Sequence, residues 1–199
     1  MAVIDLTDLR IRIPEPSMPD YGVMQTPVLG GSTNRIGRLG GGHLLKLTLP
    51  PEDMEPDGRK IVARLQMAKE YGAVIAWPQV DFSIGTPGAA ITVSSAVAGG
   101  RYVQITGATP RYAIRMGQAL NITRNGHRYL YFAGAQTVLD ASGAGTVTLT
   151  RPLRTKLLGA EAVNLAKPVI EGWIVGDNFG WPIDEQRNVG LQFDVMERA

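Results

Sequence analysis

Short runs in which apolar and polar residues alternate recur along the chain, and glycine or proline separates most of them. Residues 43–49 and 189–195 are the clearest of these runs. Alternation with a period of two predicts a strand with one buried face, because successive side chains point to opposite sides of a sheet. The 24 glycines and 13 prolines among 199 residues predict many turns between such strands. The pattern therefore favours a mainly β protein.

One segment, about residues 56–71, has the period of a helix instead. Its apolar residues fall on one face, at Ile61, Val62, Leu65 and Ala68. Acidic residues crowd its start, at Glu52, Asp53, Glu55 and Asp57, and Lys69 lies near its end, which complements the helix dipole. Gly72 is in place for a C-terminal cap. The single apolar stripe predicts a helix packed on a sheet, and the apolar run over residues 73–77 predicts a buried strand directly after it.

The composition changes in the middle of the chain. Residues from about 84 to 165 are rich in glycine, threonine, alanine and valine and contain several short alternating runs. Asn125-Gly126 lies between two of these runs and is a strong signal for a type I′ hairpin. Strand-turn units at this spacing indicate a small antiparallel barrel or sandwich.

We therefore predict a mainly β fold with one α-helix and two domains. Residues 1–84 and 166–199 would form a discontinuous antiparallel sheet-plus-helix domain, and residues 85–165 an inserted β-barrel or β-sandwich domain. Exposed loops with neighbouring ends tolerate insertions of this kind. A single continuous β domain with one helix is the alternative.

The N-terminal region combines a strand pattern with strand breakers. Leu9, Ile11 and Ile13 alternate with arginines and predict a first strand. Prolines at positions 14, 16 and 19 are predicted to end its pairing, because proline donates no ladder hydrogen bond. Residues 27–42 are polar and glycine-rich and predict a loop.

Groups that carry catalysis or bind metals are sparse. The chain has no cysteine and two histidines, which excludes disulfides, zinc-thiolate sites and cysteine nucleophiles. His43 starts a predicted strand, and His127 follows the Asn125-Gly126 turn, so both are predicted to be structural, with His127 exposed. No paired-histidine spacing suits a metal, and no Gly-x-Ser-x-Gly elbow is present. We predict no catalytic, cofactor-binding or metal-binding residue and no enzymatic activity.

Two weaker patterns have simpler interpretations. Glycines at 37, 40, 41 and 42 suggest a phosphate loop, but a strand pattern follows where a nucleotide site needs a helix. Glycosidases need only two carboxylates, and the candidates are Asp5 with Asp8, Asp177, and Asp184 with Glu185. The segment from Asp177 to Trp181 mixes a carboxylate with aromatic residues, as sugar sites do, yet a local turn explains it more simply.

The charge and the aromatic content argue against a nucleic-acid-binding site. The net charge is +2, from 20 basic and 18 acidic residues, and no basic run stands out. The aromatic residues that could stack on bases are predicted to serve mainly in the core; they are Trp77, Tyr129, Tyr131, Phe132, Trp173 and Trp181. The acidic residues near the N-terminus argue against a signal peptide, and no apolar stretch is long enough to span a bilayer.

A series of small motifs over residues 40–167 carries a resemblance to a known family. Leu47 to Pro51 ends a strand before the helix, and the run from Arg115 to Ile122 places a Gly-Gln pair before a short strand. The further motifs are Arg128 to Tyr131, Asp140 to Leu149, and Arg151-Pro152-Leu153-Arg154. This order is similar to tail proteins of long-tailed bacteriophages and prophages, in particular to distal tail proteins, in which an Asp is frequent at the position of Gln118.

The resemblance implies a structural virion protein of the tail tip, or baseplate, assembled in the host cytoplasm. Its partners would be five further copies in a homohexameric ring, the tail-tube protein, the tail-tip hub protein, and fibre or receptor-binding components. The sheet-plus-helix domain would build the ring, and the insert would face outward. DNA would pass through the channel without specific binding, and the near-neutral charge agrees with that. Strand pairing between subunits would use the segments 9–13 and 189–195 as edges, and residues 14–42 would order against a neighbour. A tail-tube, tail-completion or other baseplate protein, and a carbohydrate-binding receptor-recognition module, are the alternatives.

Overall fold

The computed structural model describes residues 2–28, 30–37, 41–176 and 179–198. Within these ranges the chain is mainly β with one α-helix, and antiparallel pairing predominates, which confirms the predicted fold class. The helix α1 spans Arg59–Tyr71. In chain order the strands are β1 (Ile4–Asp5), β2 (Ile13–Ser17), β3 (Val23–Gln25), β4 (Asn34–Ile36), β5 (Leu44–Thr48), β6 (Glu52–Asp53), β7 (Ala73–Ala76), β8 (Thr92–Val93), β9 (Tyr102–Thr106), β10 (Ala113–Ile114), β11 (Ala119–Arg124), β12 (His127–Phe132), β13 (Thr137–Val138), β14 (Gly145–Thr148), β15 (Val163–Asn164), β16 (Val169–Val175), β17 (Asn188–Val189) and β18 (Gln192–Glu197).

A six-stranded sheet joins the two ends of the chain. Its strand order is β1-β7-β16-β18-β5-β2. The pairing is antiparallel throughout except between β1 and β7, which are parallel. The predicted alternation of residues 43–49 is confirmed, since Leu45, Leu47 and Leu49 are buried and Lys46 is exposed.

Helix α1 packs beside β16 and β1, with Val62, Leu65 and Ala68 buried. The helix ends as predicted, because Gly72 has a φ of 90° and its N–H donates to the Ala68 carbonyl at 2.8 Å. Its start differs from the prediction. An irregular helical turn over Met54–Gly58 precedes α1. The acidic pair Glu52–Asp53 forms β6, because pairing with β17 satisfies its backbone groups.

The prediction of a strand over residues 9–13 was wrong. Leu9 and Ile11 pack against the core, but the strand begins at Ile13 and runs through Pro14 and Pro16 to Ser17. The prolines do not prevent pairing with β5, because β2 is at the edge of the sheet. An edge strand has no second neighbour that needs the missing N–H groups.

The predicted loop over residues 27–42 contains a strand. Strand β4 pairs with β3 in an exposed two-stranded hairpin, because three residues on each side satisfy one another's backbone groups. Gly40 of the predicted glycine-rich segment lies outside the described residues.

The alternating segment 189–195 was predicted as one strand and as a subunit edge. It contributes to two strands, since β17 ends at Val189 and β18 begins at Gln192. Strand β18 lies between β16 and β5, so both of its sides are already paired. The edges of the six-stranded sheet are β1 and β2 instead.

The middle segment contains two three-stranded sheets, β12-β11-β15 and β14-β9-β8. Both supply residues to one apolar cluster, among them Val103 and Val147 from one sheet and Ile122 from the other. The described residues form no closed barrel, so the barrel alternative was wrong, whereas two sheets over a shared core are typical of a sandwich. The hairpin at Asn125-Gly126 is confirmed, and both residues have positive φ, 51° and 78°.

Two hydrophobic clusters divide the described residues. The first combines residues 6–75 and 170–195 and also contains Ala119 and Leu130, and the second combines residues 91–165. Trp77 N–H donates to the Pro168 carbonyl at 2.9 Å, next to the paired residues Ala76 and Val169. The ends of the middle segment are therefore neighbours in one sheet. We retain the division into residues 1–84 with 166–199, and 85–165, as a prediction.

Candidate functional site

A buried carboxylate lies where the two clusters meet. Glu197, the last residue of β18, accepts hydrogen bonds from the His43 N–H at 3.0 Å and from the Leu130 N–H at 2.7 Å. His43 Nδ1 lies 2.7 Å from Glu197 Oε2, and Arg154 Nη2 pairs with Oε1. One side chain thus connects the residue before β5, strand β12 and the segment after β14.

The electrostatics of this junction follow from burial and pairing. Burial alone would raise the pKa of Glu197, but the hydrogen bond from His43 and the charge of Arg154 outweigh it, so the pKa is lowered. Burial alone would lower the pKa of Arg154, but the charge of Glu197 outweighs it, so the pKa is raised. Both groups are therefore charged at neutral pH. His43 is buried, in keeping with its predicted structural role.

Two glycines allow the chain to approach this junction. A Cβ at Gly42 would lie 3.0 Å from the Cβ of Glu197, and one at Gly41 would lie 3.1 Å from Arg151 Nη1. Arg151 Nη1 also donates to the Gly41 carbonyl at 2.6 Å. Strand β5 begins at Leu44, directly after His43. These glycines therefore make room for packing and do not open a helix in the manner of a phosphate loop.

Three aromatic rings pack against one another beside the Glu197 junction. His43, Trp77 and Phe132 pack edge to face, with ring centroids 5.0–5.8 Å apart. The three rings line an open, mainly apolar groove of about 490 Å³, together with Pro16 and Met18. Aromatic residues are thus divided between core and surface. Four of the six aromatic residues named above pack in the core as predicted: Tyr131 is buried, and Trp77, Tyr129 and Phe132 pack against the two clusters. Trp173 and Trp181 are exposed.

A second buried carboxylate lies under the Asn125-Gly126 hairpin. Glu171 of β16 lies 3.1 Å from His127 Nδ1 and accepts a hydrogen bond from Arg128 Nη1 at 3.0 Å. The Arg128 N–H donates to the same carboxylate at 3.2 Å. His127 is therefore partly buried, whereas an exposed side chain was predicted, because Glu171 draws it onto the sheet.

Three of the glycosidase candidates, Asp5, Asp8 and Asp184, hold structural hydrogen bonds or ion pairs. Asp5 accepts a hydrogen bond from the Thr7 N–H at 2.9 Å, which lowers its pKa, and Asp8 pairs with Arg64 at 2.6 Å. Asp184 accepts from the Asn188 N–H at 2.7 Å, which lowers its pKa within a turn. Glu185 is exposed, and Asp177 lies outside the described residues.

Gln118, in the motif that carries the family resemblance, is almost fully buried. Its Oε1 accepts from the Arg115 N–H at 3.1 Å, and its Nε2 donates to the Tyr112 hydroxyl at 2.9 Å. The amide thus fixes the turn before β11. A carboxylate at this position could accept the first bond but could not donate the second.

The β3–β4 hairpin presents apolar side chains to solvent. Every residue of both strands is exposed. The large apolar residues concerned, with those that precede the hairpin, are Met18, Tyr21, Val23, Met24 and Ile36. Met24 is the most open of them, with 68% of its surface exposed. A two-stranded hairpin is marginal in water unless its face is covered.

Sequence reasoning missed Arg154, Glu171 and Glu197 as functional candidates, although one signal was present. Glu197 continues the alternation of Phe193 and Val195, so it falls on their buried face. A carboxylate in phase with core residues indicates a buried, paired charge. No comparable signal marks Arg154, whose partner lies 43 positions away.

The chain matches no protein-family model and no curated protein. Among the described residues, no group of three or more histidine, aspartate or glutamate side chains is placed to hold a metal ion. The helix within the described ranges is too short and too polar to cross a membrane.

Proposed function

We propose that this protein is a non-enzymatic structural protein of a bacteriophage tail tip. Six copies would form a ring that joins the tail tube to the tail-tip hub and continues the DNA channel. The phage assignment rests on the family resemblance of residues 40–167. The observation that supports assembly is the set of exposed apolar side chains of the β3–β4 hairpin, with Met18 and Tyr21 before it.

The hairpin is better suited to contacts between copies of the chain than to packing within a single chain. Of its three cross-strand pairs, Val23 with Ile36 joins two exposed apolar side chains, and Met24, paired with Arg35, adds a third. Several exposed apolar side chains in one short element are typical of an interaction site. A closed ring requires a heterologous contact, in which one surface of each copy meets a different surface of the next. A projecting hairpin suits that geometry.

The free edges of the six-stranded sheet offer the second surface. Among the described residues, strands β1 and β2 each have one side without a partner strand, and β2 is five residues long. Its two prolines remove donors on the open side, which limits indiscriminate strand addition. Side-chain packing beside this edge is therefore favoured over simple extension of the sheet.

The mass of the assembled particle tests this proposal. Native mass spectrometry of the purified protein should show a hexamer, and Met24→Ser with Ile36→Ser should give monomers that keep the circular-dichroism spectrum of the wild type. The reason is that both side chains are exposed in the single chain, so only the assembly loses their contacts. Met116→Ser is the matched control, because Met116 is exposed to a similar extent, at 72%, but lies outside the hairpin.

A monomer at high concentration, or a hexamer that survives the double substitution, would contradict the ring or the role of the hairpin. A closed assembly of another order would favour the tail-tube, tail-completion or other baseplate alternatives.

The carbohydrate-binding alternative has one supporting observation. An open groove of about 600 Å³ lies beside the paired residues Ala76 and Val169, and Trp77, Gln79, Asn164 and Lys167 are among the residues that line it. An aromatic ring beside amide and ammonium groups can contact a sugar. Binding of host-surface glycan to the wild type, lost in Asn164→Ala, would favour this alternative.

A further inference from the structure

The open, mainly apolar groove of about 490 Å³ lies beside the edge strand β2. Pro16 and Ser17 of β2 line it on one side, and the rings of Trp77 and Phe132 line it on another. Both rings are only partly buried, so part of each faces the groove opening. Its described lining contains no lysine, arginine, aspartate or glutamate. The groove therefore suits an apolar, uncharged occupant.

The β3–β4 hairpin of the same chain leaves this groove open. No described residue of the hairpin lines it, although Met18, which precedes the hairpin in the chain, does. The hairpin residues Val23, Met24 and Ile36 are 49%, 68% and 47% exposed. A single chain thus has two uncovered apolar surfaces, the groove and the hairpin, which belong to different parts of the molecule.

The chemistry of the two surfaces matches. A methionine side chain is unbranched and flexible, and its sulfur makes favourable contacts with the edges of aromatic rings. Met24 is the most exposed apolar residue of the hairpin, and the groove offers the rings of Trp77 and Phe132. Arg35, the cross-strand partner of Met24, is paired with Asp20. The hairpin therefore brings a neutralised charge to an uncharged groove.

We propose that this groove receives the β3–β4 hairpin of the next copy of the chain, with Met24 against the aromatic rings. The inference rests on the proposed function and supplies the second surface of the ring contact. The hairpin and the groove are different surfaces, so the contact is heterologous, and contacts of this kind close into rings. Each copy would insert one hairpin and receive one.

Chemical cross-linking tests this contact, because the chain has no cysteine of its own. Gln25→Cys with Thr150→Cys places one thiol beside Met24 and one in the groove wall, and both positions are exposed. A short bismaleimide should join copies into a ladder that reaches a covalent hexamer on a denaturing gel. Gln25→Cys with Thr86→Cys is the matched control and should give no ladder, since Thr86 is exposed but lies outside the groove.

Native mass spectrometry without cross-linker distinguishes failure of this contact from failure of the ring. A hexamer whose groove pair gives no ladder, or a link only within one chain, overturns the contact and leaves the ring. An equal ladder in both cysteine pairs also overturns the contact. A covalent dimer with no larger species supports the contact but contradicts the ring. A monomer at high concentration with no link between chains overturns both.

A charge placed in the groove provides a second measurement. Ser17→Glu should abolish the hexamer, because the hairpin of the next copy would bury the new carboxylate against apolar side chains. The circular-dichroism spectrum should stay that of the wild type, since Ser17 is exposed in the single chain. Ser83→Glu, at an exposed serine outside the groove, should keep the hexamer. A hexamer that survives Ser17→Glu would overturn the contact.

Discussion

At the scale of single residues, Glu197 connects segments that are far apart in the chain. Its two oxygens receive donors from positions 43, 130 and 154. A buried charge is tolerated only when it is paired and hydrogen-bonded, and here both conditions are met. Removing one partner therefore lowers the free energy of unfolding by more than the pair itself contributes, because the other charge stays buried.

Glu197→Gln should lower the free energy of unfolding by about 3–5 kcal/mol, because it leaves Arg154 charged, buried and without its counter-ion. Urea denaturation at neutral pH measures the change. Glu185→Gln is the matched control: Glu185 is exposed, so its effect should stay within about 0.5 kcal/mol. A similar stability of both variants would show that the junction is not a buried ion pair.

The same variant should change the response to acid. Because the pKa of folded Glu197 lies below its ordinary value of 4.5, its contribution is complete above about pH 4.5 and is lost as the pH falls through the folded pKa. The wild type should therefore lose stability more steeply than Glu197→Gln in that range. The lowered pKa values of Asp5, Asp8 and Asp184 act in the same direction in both proteins, so the difference between the two curves isolates Glu197.

At the scale of elements, β16 is the strand on which the six-stranded sheet depends. It pairs with β7 on one side and β18 on the other, and α1 packs beside it. Gly172 lies in its middle, where a Cβ would overlap the carbonyl oxygen of Met196. The conflict is with backbone, which cannot rotate away as a flexible side chain can.

Gly172→Ala should destabilise the protein by about 3 kcal/mol, at the upper end of the cost of overpacking, because β16 and β18 must move apart. Chemical denaturation measures the loss. Gly99→Ala is the control, since the space around Gly99 is open and its φ is not in the left-handed region. Equal stability of Gly172→Ala and the wild type would mean that the sheet absorbs the extra atom.

At the scale of the whole molecule, the two hydrophobic clusters are distinct but not independent. The chain leaves β7 and returns to β16 at paired positions, so the middle segment could be bypassed by a tight turn. Leu130, however, belongs to the first cluster, and Arg154 neutralises Glu197. Residues of the middle segment therefore complete the first hydrophobic cluster, which the two ends of the chain form.

Replacing residues 79–166 by Asn-Gly, in a chain that also carries Glu197→Gln, should leave a cooperatively folding sheet of lower stability than the wild type. The substitution removes the charge that would otherwise be left buried without Arg154. Thermal unfolding and the dispersion of the amide NMR spectrum measure the outcome. A chain without cooperative unfolding would show that residues 1–199 form one domain, the alternative to an insertion.

The sequence by itself determined the strand faces, the helix and its C-terminal cap, and the hairpin at Asn125-Gly126. These features depend on local periodicity and on backbone angles that glycine and asparagine adopt readily, so neighbouring residues suffice to specify them. The prolines of β2 show where local rules stop. Whether proline disrupts a strand depends on its place in the sheet, which is a property of strand order.

Only the tertiary structure decided which strands are edges and which charges meet. The segment 189–195 has the alternation of a half-buried strand, yet β18 lies inside the sheet because β5 and β16, distant in sequence, pair with its two sides. His43, Arg154 and Glu197 carry no shared motif and meet because the two hydrophobic clusters pack together at that point. Long-range pairing of this kind is set by the burial of the whole molecule, and no local stretch of the sequence contains it.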